Sequence, residues 1–316
     1  MPSASAPDSD RVAVVDLGSN TTRLLIAEVS DGRVGELDRR TEITTLGRGV
    51  DSSGRVSDEA IGRVMDTLRG YREAIDAAEV DRVVAVATSA VRDAANGEEL
   101  GARLRDELGL DIRTIAGEEE ARLTFVGATS ARARDAGPTM VIDIGGGSTE
   151  IVIGVAGEEP SFVVSTQAGA VRQTDRHLDE DPPTEKSLAE LRADVRGILV
   201  TAVPLALRGS VRAGIAVAGT ATSLAAIDQE LDPYDPERVE GYPLEPEACE
   251  RMLAKLAGMA LEERRAVPGL EPARAPTIVA GAAILVEAIG MFELDSLVVN
   301  EADILHGAAL REPIGY

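Results

Sequence analysis

Tryptophan is absent from this chain, and aromatic side chains make up 2% of its 316 residues. Any core must therefore be built from Val, Ile, Leu and Ala, which the 44% hydrophobic content supplies. The single cysteine, Cys249, excludes an internal disulfide and most metal–thiolate schemes, and its polar neighbours suggest an inert thiol. The only histidines, His177 and His306, make neither a metal cluster nor an acid–base pair and read as structural. Long apolar runs are missing too. The longest stretch, residues 278–286, ends at Glu287, far short of a membrane span. Residues 1–10 (MPSASAPDSD) lack the basic and apolar regions of a signal peptide and read as a disordered tail. A cytoplasmic, soluble protein is the expectation.

Lysine is nearly absent as well: of 32 basic residues only Lys186 and Lys255 are not arginine. The net charge of −23 repels nucleic acid and anionic membranes at long range. It would also repel a phosphate substrate unless local arginines or Mg²⁺ reverse the field. Three familiar signatures are missing: the G-x-S-x-G of serine hydrolases, the Walker A loop and the Rossmann G-x-G-x-x-G.

What is present is a repeat. Residues 14–27 (VVDLGSNTTRLLIA) and 141–154 (VIDIGGGSTEIVIG) align without a gap, each an apolar strand, an Asp, a tight Gly/Ser/Thr turn and a second apolar strand. Such a unit offers backbone N–H groups and hydroxyls to an anion. In the second copy Gly145, Gly146, Gly147 and Ser148 form a phosphate loop whose glycines permit close approach or a left-handed backbone. Asp143 at the strand end can hold Mg²⁺, and Glu150 adds a second carboxylate. The first copy offers Gly18, Ser19, Asn20 and Thr21 to phosphate, Asp16 as the counterpart acid, and Arg23 where the second copy has Glu150. Two copies suggest two similar domains facing one phosphate-containing ligand.

Other segments are ambiguous alone. Residues 117–122 (GEEEAR) put carboxylates at a helix start, which suits the helix dipole but could equally supply a base. Arg92 follows a buried strand, where a guanidinium can clamp phosphate or pair with Asp93. Gly219 and Thr220 form a further glycine–hydroxyl turn after a strand. Residues 228–250, acidic and broken by prolines, read as a solvated excursion. Strand, loop and helix alternate throughout, the pattern of a mixed α/β sheet.

Taken in order, DLGSNTTR, TLGRGVD, ATSAVRDA, GEEEARL, DIGGGSTE and AGTATSLA resemble the exopolyphosphatase/guanosine pentaphosphate phosphatase family of the actin-like ATPase superfamily. The resemblance runs from about Val12 to Leu310. It implies an α/β fold of two ribonuclease-H-like domains with an interdomain cleft for phosphate chains and a divalent cation, Mg²⁺ or Mn²⁺. It assigns the catalytic carboxylate to Glu120, metal- and phosphate-site acids to Asp143 and Glu150, and the phosphate loop to Gly145 through Ser148. Longer family members carry further helical domains, so this chain resembles a short form. The expected domains are residues 11–132 and 133–300, with a C-terminal helix in 301–316 packing back on the first. The expected activity is release of orthophosphate from the end of inorganic polyphosphate. The rivals are a guanosine pentaphosphate phosphatase acting in the stringent response, a sugar-kinase-like phosphotransferase and a non-catalytic nucleotide-sensing scaffold. A homodimer is the expected assembly.

Overall fold

Residues 12–17 (VAVVDL) are apolar at almost every position, the pattern of a strand covered on both faces rather than one. In the computed structural model, which describes residues 9–133, 137–208, 211 and 213–311, they lie at the centre of a sheet. The expected tail, residues 1–10, falls largely outside the described residues. The first sheet contains β1 (Asp10–Leu17), β2 (Thr21–Ser30), β3 (Arg33–Ile43), β4 (Arg82–Ala87) and β5 (Arg113–Thr114), in the order β3-β2-β1-β4-β5. The second contains β6 (Thr139–Ile144), β7 (Thr149–Gly154), β8 (Phe162–Thr166), β9 (Ala213–Val217), β10 (Pro243–Leu244) and β11 (Ser296–Val299), in the order β10-β11-β9-β6-β7-β8.

The two sheets repeat one plan. An antiparallel hairpin (β1/β2, β6/β7) takes a third antiparallel strand on one side (β3, β8) and parallel strands on the other (β4 then β5, β9 then β11). These are two ribonuclease-H-like domains, the second with β10 added at its edge. Register carries the repeat down to single residues: Asp16 faces Arg23 across the first hairpin, and Asp143 faces Glu150 across the second.

One face of the first sheet packs on the helices Asp58–Ala77 and Gly97–Leu108, with Val64, Met65 and Leu68 against Val15 and Leu24. The matching face of the second packs on Glu185–Ala202, Pro246–Ala257 and Ile278–Phe292. The opposite faces are covered crosswise. Ala121, Phe125 and Ala128 of the helix Gly117–Thr129 lie on Val141, Val152, Ile215 and Val217 of the second sheet. Leu305, Ala308 and Ala309 of the helix Ile304–Leu310 lie on Val12, Val14, Leu25 and Ala27 of the first. So the helix 117–129, inside the expected first unit by sequence, covers the second sheet. The two covering helices cross backbone to backbone: a Cβ on Gly127 would sit 1.9 Å from the Asp303 carbonyl oxygen, and one on Gly307 would sit 1.8 Å from that of Leu123.

Some local expectations give way. The excursion at 228–250 is partly core, because Ala248, Cys249, Met252, Leu253 and Leu256 recur at helical spacing in Pro246–Ala257. Proline at the first helical position starts that helix, and the acids occupy its outer face. Cys249 is buried there as a free thiol, pushed up to about 12 by burial, then by the nearby Asp228 and Glu250. β3, from Arg33 to Ile43, is an edge strand whose exposed face is polar. No described helix is long and apolar enough to cross a membrane.

Candidate active site

The hairpin turns meet at the floor of a cleft of about 1140 Å³ between the two sheets. Gly18 N–H donates to the Thr21 carbonyl at 2.9 Å, and Gly145 N–H to the Ser148 carbonyl at 3.0 Å, so each turn is closed in the same way. Left-handed backbone does not explain the glycines, since none of Gly145, Gly146 and Gly147 has a positive φ. Contact between the turns does. A Cβ on Gly146 would lie 2.9 Å from Ser19 Cβ, and one on Gly147 would lie 1.9 Å from Ser89 Oγ. Beneath Gly147, Ser19 and Ser89 share a buried hydrogen bond of 2.9 Å.

Carboxylates crowd the cleft from several elements. Asp16 and Asp143 stand at the ends of β1 and β6, and Asp303 caps the helix Ile304–Leu310, accepting from Leu305 N–H at 3.0 Å. Arg23 is held between them: Nε and Nη2 donate to Asp16 Oδ2 at 3.0 and 2.6 Å, and Nη1 donates to Asp303. Burial pushes Asp16 up despite this pairing. Burial also opposes the charge of Asp303, yet Arg23, Arg39 and the Leu305 N–H together hold it low. Arg23 is thus tied to acids rather than free to grip phosphate.

Of the carboxylates that open the helix Gly117–Thr129, Glu118 is exposed and Glu119 turns out to Arg113 and Arg311, at 2.6 and 3.0 Å. Glu120 turns into the cleft. It accepts from Arg92 Nη1 at 3.2 Å, and the same nitrogen donates to the Ile115 carbonyl at 2.9 Å. Burial pushes Glu120 up to about 8, with Asp143 and Asp16 adding to the rise and Arg92 opposing it. Asp143, bonded by Thr124 Oγ1 at 3.2 Å, is pushed up to about 7 by burial and by Asp303 and Asp16. Glu150, 1% exposed, accepts from Ser165 Oγ at 2.6 Å and is raised by burial, Glu120 and Asp143. Neither Arg92 nor Glu150 lines the cleft. Arg92 is occupied with Glu120 instead of a phosphate, and Glu150 stands behind Asp143.

On the second domain Gly219 and Thr220 open the helix Ala218–Asp228 rather than forming a turn, and Ala218 takes a φ of 65° to make the entry. A helix N-terminus presents N–H groups to an anion. Arg274 lies against it, so close that a Cβ on Gly219 would be 1.6 Å from Nη1. Burial lowers the Arg274 pKa, and it has no ion-pair partner among the described residues. Sequence reasoning missed Arg274, Ser89 and Asp303. For Asp303 a signal existed: it follows the carboxyl end of β11, the end of an α/β strand where ligands gather.

The donor set fits a divalent cation. Asp16 Oδ1 is buried without a hydrogen-bond partner, and Asp143 is raised by burial and by the carboxyls of Asp303 and Asp16. Among the described residues no three His, Cys, Asp or Glu side chains converge as a ready-made cage. That suits a small hard cation held by one or two carboxylates, with the remaining positions left to water and phosphate oxygens. Asp16 and Asp143 are the residues that would hold it.

Paired ribonuclease-H-like domains, with matched Gly/Ser/Thr turns opposed across an acid-lined cleft, define the actin-like ATPase architecture. The sequence profile of the Ppx/GppA phosphatase family matches residues 25–313, and the chain belongs to that family. It is similar to exopolyphosphatase 2 of Mycobacterium tuberculosis, at 39% identity over 95% of this chain and 98% of that one. Among solved structures it matches a Ppx/GppA enzyme of Aquifex aeolicus with a TM-score of 0.80 and 33% identity, over 96% of this chain and 100% of that chain. It also matches an exopolyphosphatase of Cytophaga hutchinsonii with a TM-score of 0.85 and 28% identity, over 94% and 96% of the two chains.

Proposed function

We propose that the protein is an exopolyphosphatase that hydrolyses the terminal phosphoanhydride of inorganic polyphosphate and releases orthophosphate. The observation that carries this reading is Glu120, a buried carboxyl raised to about 8, facing the cleft where the two phosphate turns touch. A carboxylate with a pKa near neutrality is suited to general-base work. Relatives named exopolyphosphatase, aligned over nearly the whole chain, support the same substrate class.

The N–H groups left over in the two turns, at 19–20 and 146–148, hold the terminal phosphoryl group, and the helix start at Gly219 with Arg274 holds phosphates further along the chain. Glu120 orients a water and takes its proton as the water oxygen bonds to phosphorus and the bridging P–O bond breaks. The shortened chain leaves with the electron pair of that bond. Arg92 sets the orientation and basicity of Glu120, and Arg23 bridges Asp16 and Asp303 and holds Asp303 ionised. Mg²⁺, or Mn²⁺, held by Asp16 and Asp143, would supply the charge that neutralises the phosphoryl oxygens. Glu150, across the strand pair from Asp143, adds a second carboxyl behind it, bonded to Ser165.

The test is orthophosphate release from long polyphosphate, guanosine pentaphosphate and ATP in parallel, with Mg²⁺, by wild type and Glu120→Gln. Wild type should prefer polyphosphate, and the variant should lose about a hundredfold or more in turnover while still binding the chain. Preference for guanosine pentaphosphate would move the reading to that substrate, for which Tyr234 is the aromatic side chain on the cleft wall. Transfer from ATP to an acceptor, or no turnover at all, would overturn it. The reading carries a cytoplasmic setting and a homodimer, the latter tested by sedimentation velocity.

A further inference from the structure

Residues 45–51 (TLGRGVD) have no part in the chemistry above, yet they touch both phosphate turns, one directly and one through an arginine. On the first domain, Thr45 N–H donates to the Asn20 carbonyl at 2.9 Å and Gly47 N–H to the Ser19 carbonyl at 2.7 Å. The approach is tight, since a Cβ on Gly47 would lie 2.8 Å from Ser19 Cβ. The far end of the segment reaches the second domain. Gly49 N–H donates to Asp175 Oδ2 at 2.9 Å, and Asp51 accepts from Arg176 Nε and Nη2 at 2.6 and 2.8 Å and from Arg172 Nη1.

Arg172 completes the connection. It lies on the helix Ala170–His177, whose first N–H groups, from Ala170 and Val171, donate to the Gly145 and Gly146 carbonyls at 2.9 and 2.8 Å. Its Nε donates to the Gly147 carbonyl at 2.8 Å, Nη2 to Asp93 at 2.5 Å and Nη1 to Asp51. Every nitrogen of one guanidinium is used: one on the backbone of the second turn, two on carboxylates of the first domain. The side chain is 10% exposed, unlike an ordinary solvated surface pair.

We propose that Arg172 is a positioning residue and that it forms, with residues 45–51, a bracket fixing the two phosphate turns relative to one another. Arg172 acts on substrate through the Gly147 peptide and the segment 45–51 acts through Ser19 and Asn20. The inference rests on the exopolyphosphatase reading for its kinetic consequence, though not for its structural one. A planar fork that bonds a carbonyl and two carboxylates at once cannot be replaced by lysine, whose ammonium is a point charge.

The test uses the full chain with Arg172→Met, Arg172→Lys, Asp51→Asn and the double variant Asp51→Asn/Arg172→Met. Amide hydrogen exchange without substrate reads the bracket directly. The N–H groups of Thr45, Gly47, Gly145, Ala170 and Val171 should exchange about tenfold faster in Arg172→Met, with β6 and β9 unchanged. Kinetically, Arg172→Met and Arg172→Lys should raise the KM for polyphosphate about tenfold and change kcat far less, and the double variant should lose less than the sum of the two single losses, the Asp51–Arg176 pair accounting for what Asp51→Asn adds. Unchanged exchange at these amides, full rescue by lysine or additive effects in the double variant would overturn the bracket. If Arg172→Met does not fold, Asp51→Asn, which keeps the Gly147 bond and the Asp93 pair, carries the same exchange test. Wild type that releases no phosphate would sink the exopolyphosphatase reading and leave the exchange result to decide the bracket.

Discussion

Removing the guanidinium of Arg92 should shift the pH dependence of catalysis rather than simply reduce it. Arg92 Nη1 lies 3.2 Å from Glu120 Oε2, and it is the cation that opposes the burial of that carboxyl. At that separation, with an effective dielectric constant of about 20, the Coulomb attraction approaches ~5 kcal/mol. The Arg92 side chain is 22% exposed, so water screens part of this, and a neighbouring opposite charge typically moves a carboxyl by about 1–3 units. Glu120 stands at about 8 with Arg92 in place. In Arg92→Met the pKa rises further, because the ionised form loses its partner. With a base at about 8, about a tenth is ionised at pH 7, and one further unit leaves about a hundredth. The expected outcome is a kcat/KM for phosphate release down by about tenfold or more at pH 7, with the loss largely recovered above about pH 9.5. A full pH profile of kcat/KM for wild type, Arg92→Met and Arg92→Lys makes the measurement, and lysine should restore part of the shift. An acidic limb that stays where it is, or one moved to lower pH, would refute the assignment of Arg92 as the group that sets Glu120.

Stability should follow the same carboxyls. Glu120 and Asp143 titrate at about 8 and about 7 in the folded protein, above their ordinary values of 4.5 and 3.8, so their protonated forms stabilise the fold. That contribution is complete below the unfolded values and is lost as pH rises through 7 to 8, so the melting temperature of the metal-free protein should fall between about pH 5.5 and pH 8.5. Mg²⁺ added at the upper end should restore it, and differential scanning fluorimetry showing a flat or rising curve would count against the reading. Separately, Gly307→Ala places a methyl group 1.8 Å from the Leu123 carbonyl oxygen, where only backbone could yield. It should cost about 1–3 kcal/mol in urea unfolding, and an unchanged midpoint would mean the helix crossing is looser than described.

The legible parts of this molecule are those whose chemistry is local. A phosphate turn needs its glycines and hydroxyls within a few consecutive residues, so both hairpins and the strands around them could be read directly. The start of the helix Asp58–Ala77 is set as locally, by Ser57 accepting from Ala60 N–H at 3.2 Å. What stayed hidden depends on direction or on distance along the chain. Arg92 follows a strand as a phosphate clamp would, but the short helix Ser89–Arg92 turns its guanidinium to Glu120. Arg23 is paired with Asp303, which lies at the far end of the sequence, after the carboxyl end of β11. The glycines at 145–147 suggested unusual backbone, whereas the need is for space against Ser19 and Ser89, contacts made only when the domains meet. Acid counts over 228–250 concealed a helix whose apolar stripe shows only when residues are taken at helical spacing.

The crosswise covering of the sheets has a consequence for how the chain acquires its fold. Val12, Val14, Leu25 and Ala27 are made well before Leu305, Ala308 and Ala309, which shield them. Until then the first sheet has one finished face and one bare apolar face, the kind of surface that invites aggregation and chaperone attention. The helix Ile304–Leu310 acts as a late keystone, and a nascent chain stalled before it would leave the first domain half-dressed, however well its own strands had paired.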